Sequence, residues 1–200
     1  MHAWACVAAL ALWAAACDGP APDVPRPAAA SPAAASAVAA RPVAAPPAWD
    51  GRTFRSYRDG PSGVGLEIPV LGYRLEARHF AGARPPQAAH ILTLSGGAGV
   101  AAVVDVWDDP APGDVARWFD AHLGFMREPT AALVETTAGR DRARALLIEQ
   151  PRSPQAAARR SAVFAAAGRV LRVTCPDAED AQLAGGCARV LATITAEAPR

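Results

Sequence analysis

Between Val100 and Met126 the apolar residues change period, and this change limits the folds open to the chain. In "VAAVVDVW" they alternate, with Val100, Ala102, Val104 and Val106 on one face and Val103 and Asp105 on the other. That is the repeat of a strand. In "DDPAPGDVARWFDAHLGFM" the residues Val115, Trp118, Phe119, His122, Leu123 and Met126 recur at three and four, which is one face of a helix. Asp109 or Asp114 can cap this helix, and Pro110 or Pro112 suits its start. Strand patterns surround it. "GVGLEIPV", "YRLEARHF" and "AAHILTLS" come before, the first two divided by Leu71 and Gly72. "ALVETTA" and "RARALLIEQ" flank Gly139, and "SAVFAAAGRVLRVTC" reads as a hairpin turning near Gly168. The stretch from Asp177 to Ala196 reads as a closing helix, with Ala184, Cys187, Val190, Leu191 and Ile194 as its inner stripe. Asp177 and Asp180 place acid in its first turn, where the helix dipole favours it.

The order is therefore strands, helix, strands, helix, with hairpin-length connections. It predicts an α+β fold, a mostly antiparallel sheet flanked by two main helices. Residues 49–200 supply enough chain for a single globular domain with one core.

The element order over residues 54–196 resembles the PsbP-like fold, shared by the extrinsic photosystem II subunit and small bacterial lipoproteins of the DcrB type. The resemblance is carried by "GLEIPVLGYRLE" as an opening hairpin and "VDVWDDPAPGDVARWFD" as strand into helix. "TAGRDRARALLIE" followed by "RSAVFAAAGRVLRVTC" completes it. It implies a PsbP-like sandwich acting as a non-enzymatic accessory or binding domain, and it carries over no catalytic residue.

Residues 1–48 have a different character. The apolar run from Ala3 to Cys17 is shorter than the roughly 20 residues that span a bilayer. It fits the apolar region of a secretory signal peptide over residues 1–16. No Lys or Arg precedes it, so the usual N-terminal charge is left to the α-amino group or to an earlier start. "LALWAAAC" is similar to the lipobox of bacterial lipoproteins, with small Ala15 and Ala16 before Cys17, although Ala14 stands where that family usually has Leu. Cys17 is thus the expected lipidation site, and plain cleavage at the same bond is the alternative. Cleavage there removes Cys6 and leaves Cys175 and Cys187 as an even pair, expected as a disulfide in an oxidising compartment. Residues 18–48 hold 8 Pro and 13 Ala with no aromatic residue. Such a stretch cannot bury enough apolar surface to offset its chain entropy, and reads as a disordered tether. Extended, it reaches roughly 90 Å.

Composition excludes several chemistries. All 20 basic residues are Arg, and the chain has neither Lys nor Asn. A Schiff-base Lys, a phosphate-loop Lys and an Asn-linked glycan are therefore impossible. A net charge of +1 with both signs scattered gives no nucleic-acid footprint.

The candidate sites are few. "GAGVAA" matches a dinucleotide fingerprint in form, but a strand follows it rather than a helix, so it is expected to be a glycine turn with no cofactor. His79 and His90 lie on adjacent expected strands and are weak metal candidates if the register lets them face each other. His122 is expected to be a packed core histidine. Of Asp105, Asp108 and Asp109, two are expected to cap and charge the first helix. Ser95, His90 and Asp105 would be the residues of a hydrolase. The expectation is a non-enzymatic lipoprotein, secreted across the inner membrane and lipid-anchored in the cell envelope. A small binding domain on the tether would meet an envelope protein partner. A small secreted hydrolase and a metal-binding sensor are the alternatives.

Overall fold

A computed structural model describes residues 52–154 and 156–198. Cys17, the signal-type run and the Pro/Ala tether lie outside the described residues. Ten strands and two helices follow in order: β1 (Phe54–Asp59), β2 (Val64–Pro69), β3 (Arg74–His79), β4 (His90–Gly96), β5 (Gly99–Asp108), α1 (Val115–Leu123), β6 (Ala132–Ala138), β7 (Ala143–Gln150), β8 (Arg159–Ala166), β9 (Arg169–Pro176), α2 (Ala181–Thr193) and β10 (Thr195–Ala196). The fold is α+β, with every strand pair antiparallel.

There are two sheets. One has seven strands in the order β3-β4-β5-β9-β8-β7-β6, and the other has three in the order β1-β2-β10. Alternation on the central strands gives the large sheet two apolar faces. Leu92, Leu94, Ala102, Val104, Leu171 and Val173 point to one face and meet β2 and α2 through Val64, Leu66, Ile68, Leu183 and Val190. Trp107, Leu146, Ile148, Val163 and Val170 point to the other and meet Trp118, Phe119 and Leu123 of α1. Trp107 and Trp118 cross edge to face, with ring centroids 5.4 Å apart. Each indole N–H is satisfied, Trp107 by the Pro86 carbonyl at 3.2 Å and Trp118 by Asp109 Oδ2 at 2.8 Å.

Several sequence expectations are corrected. β2 and β3 do not form a hairpin. β2 has β1 on one side and β10 on the other, so neither of its edges is free for β3, which pairs with β4. The closing helix starts later and ends earlier than expected. Asp180 caps it, its side chain accepting from the Gln182 and Leu183 amides. The helix ends at Thr193, and from Ile194 the backbone is extended and carries Thr195 and Ala196 into pairing with β2. Ala184 is exposed, and the buried stripe is Leu183, Gly186, Cys187, Val190 and Thr193. The Ala167-Gly168 turn joins β8 to β9 with φ of 51° and 73°; Gly168 adopts its value without strain, and Ala167 is a non-glycine residue in the left-handed region.

Cys175 ends β9 and Cys187 lies in α2. They are disulfide-bonded across a Cα separation of 5.9 Å and 12 residues of chain. The bridge staples α2 to the middle of the large sheet. A loop of this size constrains the unfolded chain by roughly 3 kcal/mol. Replacing both cysteines with Ala should therefore lower unfolding free energy by about that amount in a urea titration. A loss below about 1 kcal/mol would mean that α2 is held by its apolar contacts alone.

Candidate functional site

Strand ends from both sheets bring a line of polar side chains together. His79 ends β3 and His90 begins β4, and they are direct partners in the ladder. Their Nδ1 atoms are 3.0 Å apart, with the rings edge to face at 5.2 Å between centroids. Beyond each imidazole lies a carboxylate. His79 Nε2 is 3.6 Å from Asp59 Oδ1 at the end of β1, and His90 Nε2 is 3.8 Å from Asp108 Oδ2 at the end of β5. Asp59 is buried, and its other oxygen accepts from the Ser62 amide at 2.9 Å. Arg169, 3% exposed, closes the line. Its Nε donates to Asp108 Oδ1 at 2.9 Å, and its Nη1 donates to the carbonyls of Ser62 and Glu197, the latter at 3.0 Å. The chain makes room for this guanidinium at Gly63, where a Cβ would run into it and where φ is +63°.

The contact between the rings sets their chemistry. A hydrogen bond across this contact requires one Nδ1–H to donate and the other Nδ1 to accept. Burial holds the His90 imidazole below its ordinary value. Asp108 opposes this, His79 and Arg169 add to it, and Asp59 opposes it. Among the described residues, no group of three or more His, Cys, Asp or Glu side chains gathers in a way that would hold a metal ion.

A second polar group lies on the α1 face of the large sheet. Asp105 on β5 and Arg172 on β9 are ladder partners, and Asp105 Oδ2 accepts from Arg172 Nε at 2.9 Å and Nη2 at 2.7 Å. Ser161 and Thr174 are partners on β8 and β9, with hydroxyls 3.0 Å apart. Arg159 and Gln150 are partners on β8 and β7 and hydrogen-bond through Nε and Oε1. Sequence reading passed over this group. Its signal was there in Arg172 and Thr174, two polar residues at spacing two within the otherwise apolar "VLRVTC".

The remaining expected sites fall as follows. Ser95 is five positions from His90 on β4, and odd spacing puts it on the opposite face, so Ser95, His90 and Asp105 do not converge. Asp105, Asp108 and Asp109 do not cap α1. The first two pair with Arg172 and Arg169, Asp109 holds the Trp118 indole, and Asp114 is the cap, accepting from the Arg117 amide at 2.9 Å. His122 is not a core residue. Trp118, Phe119 and Leu123 fill the buried face of α1, and His122 lies exposed at its margin against Trp118, with ring centroids 4.9 Å apart. "GAGVAA" turns from β4 into β5.

No known protein family matches the chain. No curated protein matches it either. Among solved structures, the fold is similar to cyanobacterial PsbP from Synechocystis sp. PCC 6803, at 12% identity and a TM-score of 0.41. The match covers 72% of this chain and 92% of that one.

The depressed His90 value makes a pH prediction. The unfolded chain binds this proton near pH 6.5, and the folded chain only at lower pH. The stability that His90 contributes is therefore full above pH 6.5 and is lost as pH falls through the folded value. The gap in stability between wild type and His90→Gln should narrow on acidification from pH 7 to 5, read by denaturant titration. A constant gap across that range would show that the His90 proton is not linked to folding.

Proposed function

We propose that this is a secreted envelope lipoprotein, anchored through Cys17, whose Pro/Ala tether presents a small non-enzymatic domain to a protein partner. The observation that carries this reading is the pairing of Cys175 with Cys187. It fits an oxidising compartment. It also leaves Cys17 as the one cysteine after the apolar run outside that bridge, and therefore available for acylation. Two or three acyl chains at one residue anchor a protein stably, where a single chain holds it only marginally. The exposed large apolar side chains that a partner could cover are Val70, Leu71, Val100, Leu133, Val134 and, at 75% exposure, Phe125.

The test is an intact mass of the native protein from fractionated cells, taken without reductant. The expected species begins at Cys17, carries acyl chains and is two hydrogens lighter than the reduced chain. An unacylated species, or one that keeps residues 1–16, would overturn the anchor.

A second reading is a metal-responsive domain, in which the two imidazoles would need further ligands beyond the described side chains. Both imidazoles lie on one face of the β3–β4 ladder, with their Nδ1 atoms turned toward each other. The two-nitrogen arrangement suits zinc or copper more than calcium or magnesium. Zinc titration followed by the histidine ring resonances tests it. Saturable shifts at His79 and His90 support this reading, and unchanged rings at millimolar zinc contradict it.

A further inference from the structure

The polar group beneath α1 encloses a cavity of about 60 Å³, lined by Arg159, Arg172, Ser161, Thr174, Gln150 and Met126 among others. We infer that this cavity is a binding site for a small oxyanion, with Arg159 and Arg172 as its charged donors.

Four observations converge on that ligand. The first is charge. Arg172 is neutralised by Asp105. No carboxylate among the described residues forms an ion pair with Arg159. The wall therefore carries an excess of one positive charge. The second is an under-used donor. Arg172 Nη1 donates to Met126 Sδ at 3.3 Å, and a thioether is a weak acceptor. A mostly buried guanidinium N–H left with such a partner favours an oxygen anion in its place. The third is the set of neutral donors. Ser161 and Thr174 are ladder partners whose hydroxyls hydrogen-bond each other, either being able to donate, and Gln150 uses its amide nitrogen on the Met126 carbonyl at 2.9 Å and its oxygen on Arg159 Nε. That last bond fixes the Arg159 fork at the cavity wall. The fourth is size. The volume holds about four to six heavy atoms at the roughly 10–15 Å³ that one water needs. A carboxylate, a phosphate or a sulfate falls in that range, and all three offer oxygens to a guanidinium fork.

The site is placed by strand alternation. Arg159 and Ser161 are two apart on β8, and Arg172 and Thr174 are two apart on β9, so all four point to the α1 face. Arg160, between the first two, points to the other face and is exposed. It serves as an internal control, because its loss removes the same charge without touching the cavity.

The experiment is a titration of the full chain with sodium phosphate, sulfate, acetate and chloride at fixed ionic strength. It is read by backbone amide shifts of residues 159–161 and 172–174 and by the change in Tm. The expected result is saturable shifts and a raised Tm with at least one oxyanion and not with chloride. Arg159→Gln should weaken that binding roughly tenfold, the size of one lost charge-assisted hydrogen bond. Arg160→Gln should leave it unchanged. A response to phosphate and sulfate alone assigns a tetrahedral anion, and a response to acetate assigns a carboxylate. Equal responses to all four salts, equal effects of the two substitutions, or no shift would each overturn the inference.

Discussion

One buried cation ties the two sheets together at the edge of their shared apolar core. Arg169 begins β9 in the large sheet and donates across to the Ser62 and Glu197 carbonyls, which flank β2 and β10 in the small one. Taking a guanidinium out of water is costly, and the cost is met only where several acceptors surround it. Here two carbonyls and the Asp108 carboxylate do so. The same contact orders Asp108 beside His90. The geometry of the histidine pair and the docking of the small sheet therefore share one residue. Gly63 is part of this arrangement, because any side chain there competes with the guanidinium for space.

Polar residues inside this fold divide by face. Those at the strand ends, from Asp59 to Arg169, run along the seam between the sheets and bind each other in sequence. Those on the α1 face lie where the helix stops. α1 is only nine residues long, and its apolar side chains cover Trp107, Val163 and Val170 but not the whole width of the sheet. Beyond Met126 the sheet surface is polar, with Asp105, Arg172, Ser161, Thr174, Gln150 and Arg159 in adjoining ladder positions. Short helix and polar strand face are two aspects of one design. A longer apolar helix there would bury charged side chains without ligands for them.

Much of this was legible in the sequence, for identifiable reasons. Strands such as β5 and β9 announce themselves because one or both faces are buried, so their apolar residues repeat at two or run unbroken. The change of period at Asp109 marked α1. The two strands that carry His79 and His90 were legible, but their register was not, because a slip of one residue would put the two side chains on opposite faces. The misses have the opposite character. β1, "FRSYRD", is an edge strand with little to bury, so its pattern is polar and carries no period. β10 is two residues long and is held by pairing with β2, a long-range contact that no local pattern encodes. The partition of β2 and β3 into different sheets was hidden for the same reason. His122 fits the helix repeat, but three larger apolar side chains take the buried face first.

Hydrogen exchange on Arg169→Gln tests the keystone role of this residue most directly. The account predicts that amides in the β2–β10 pairing and the Glu197 amide, which donates to the Gly63 carbonyl at 3.0 Å, lose protection by at least roughly tenfold. Amides of the β7–β8 ladder should keep theirs. Uniform loss across both sheets, or no loss at β10, would contradict the claim that Arg169 holds the small sheet to the large one.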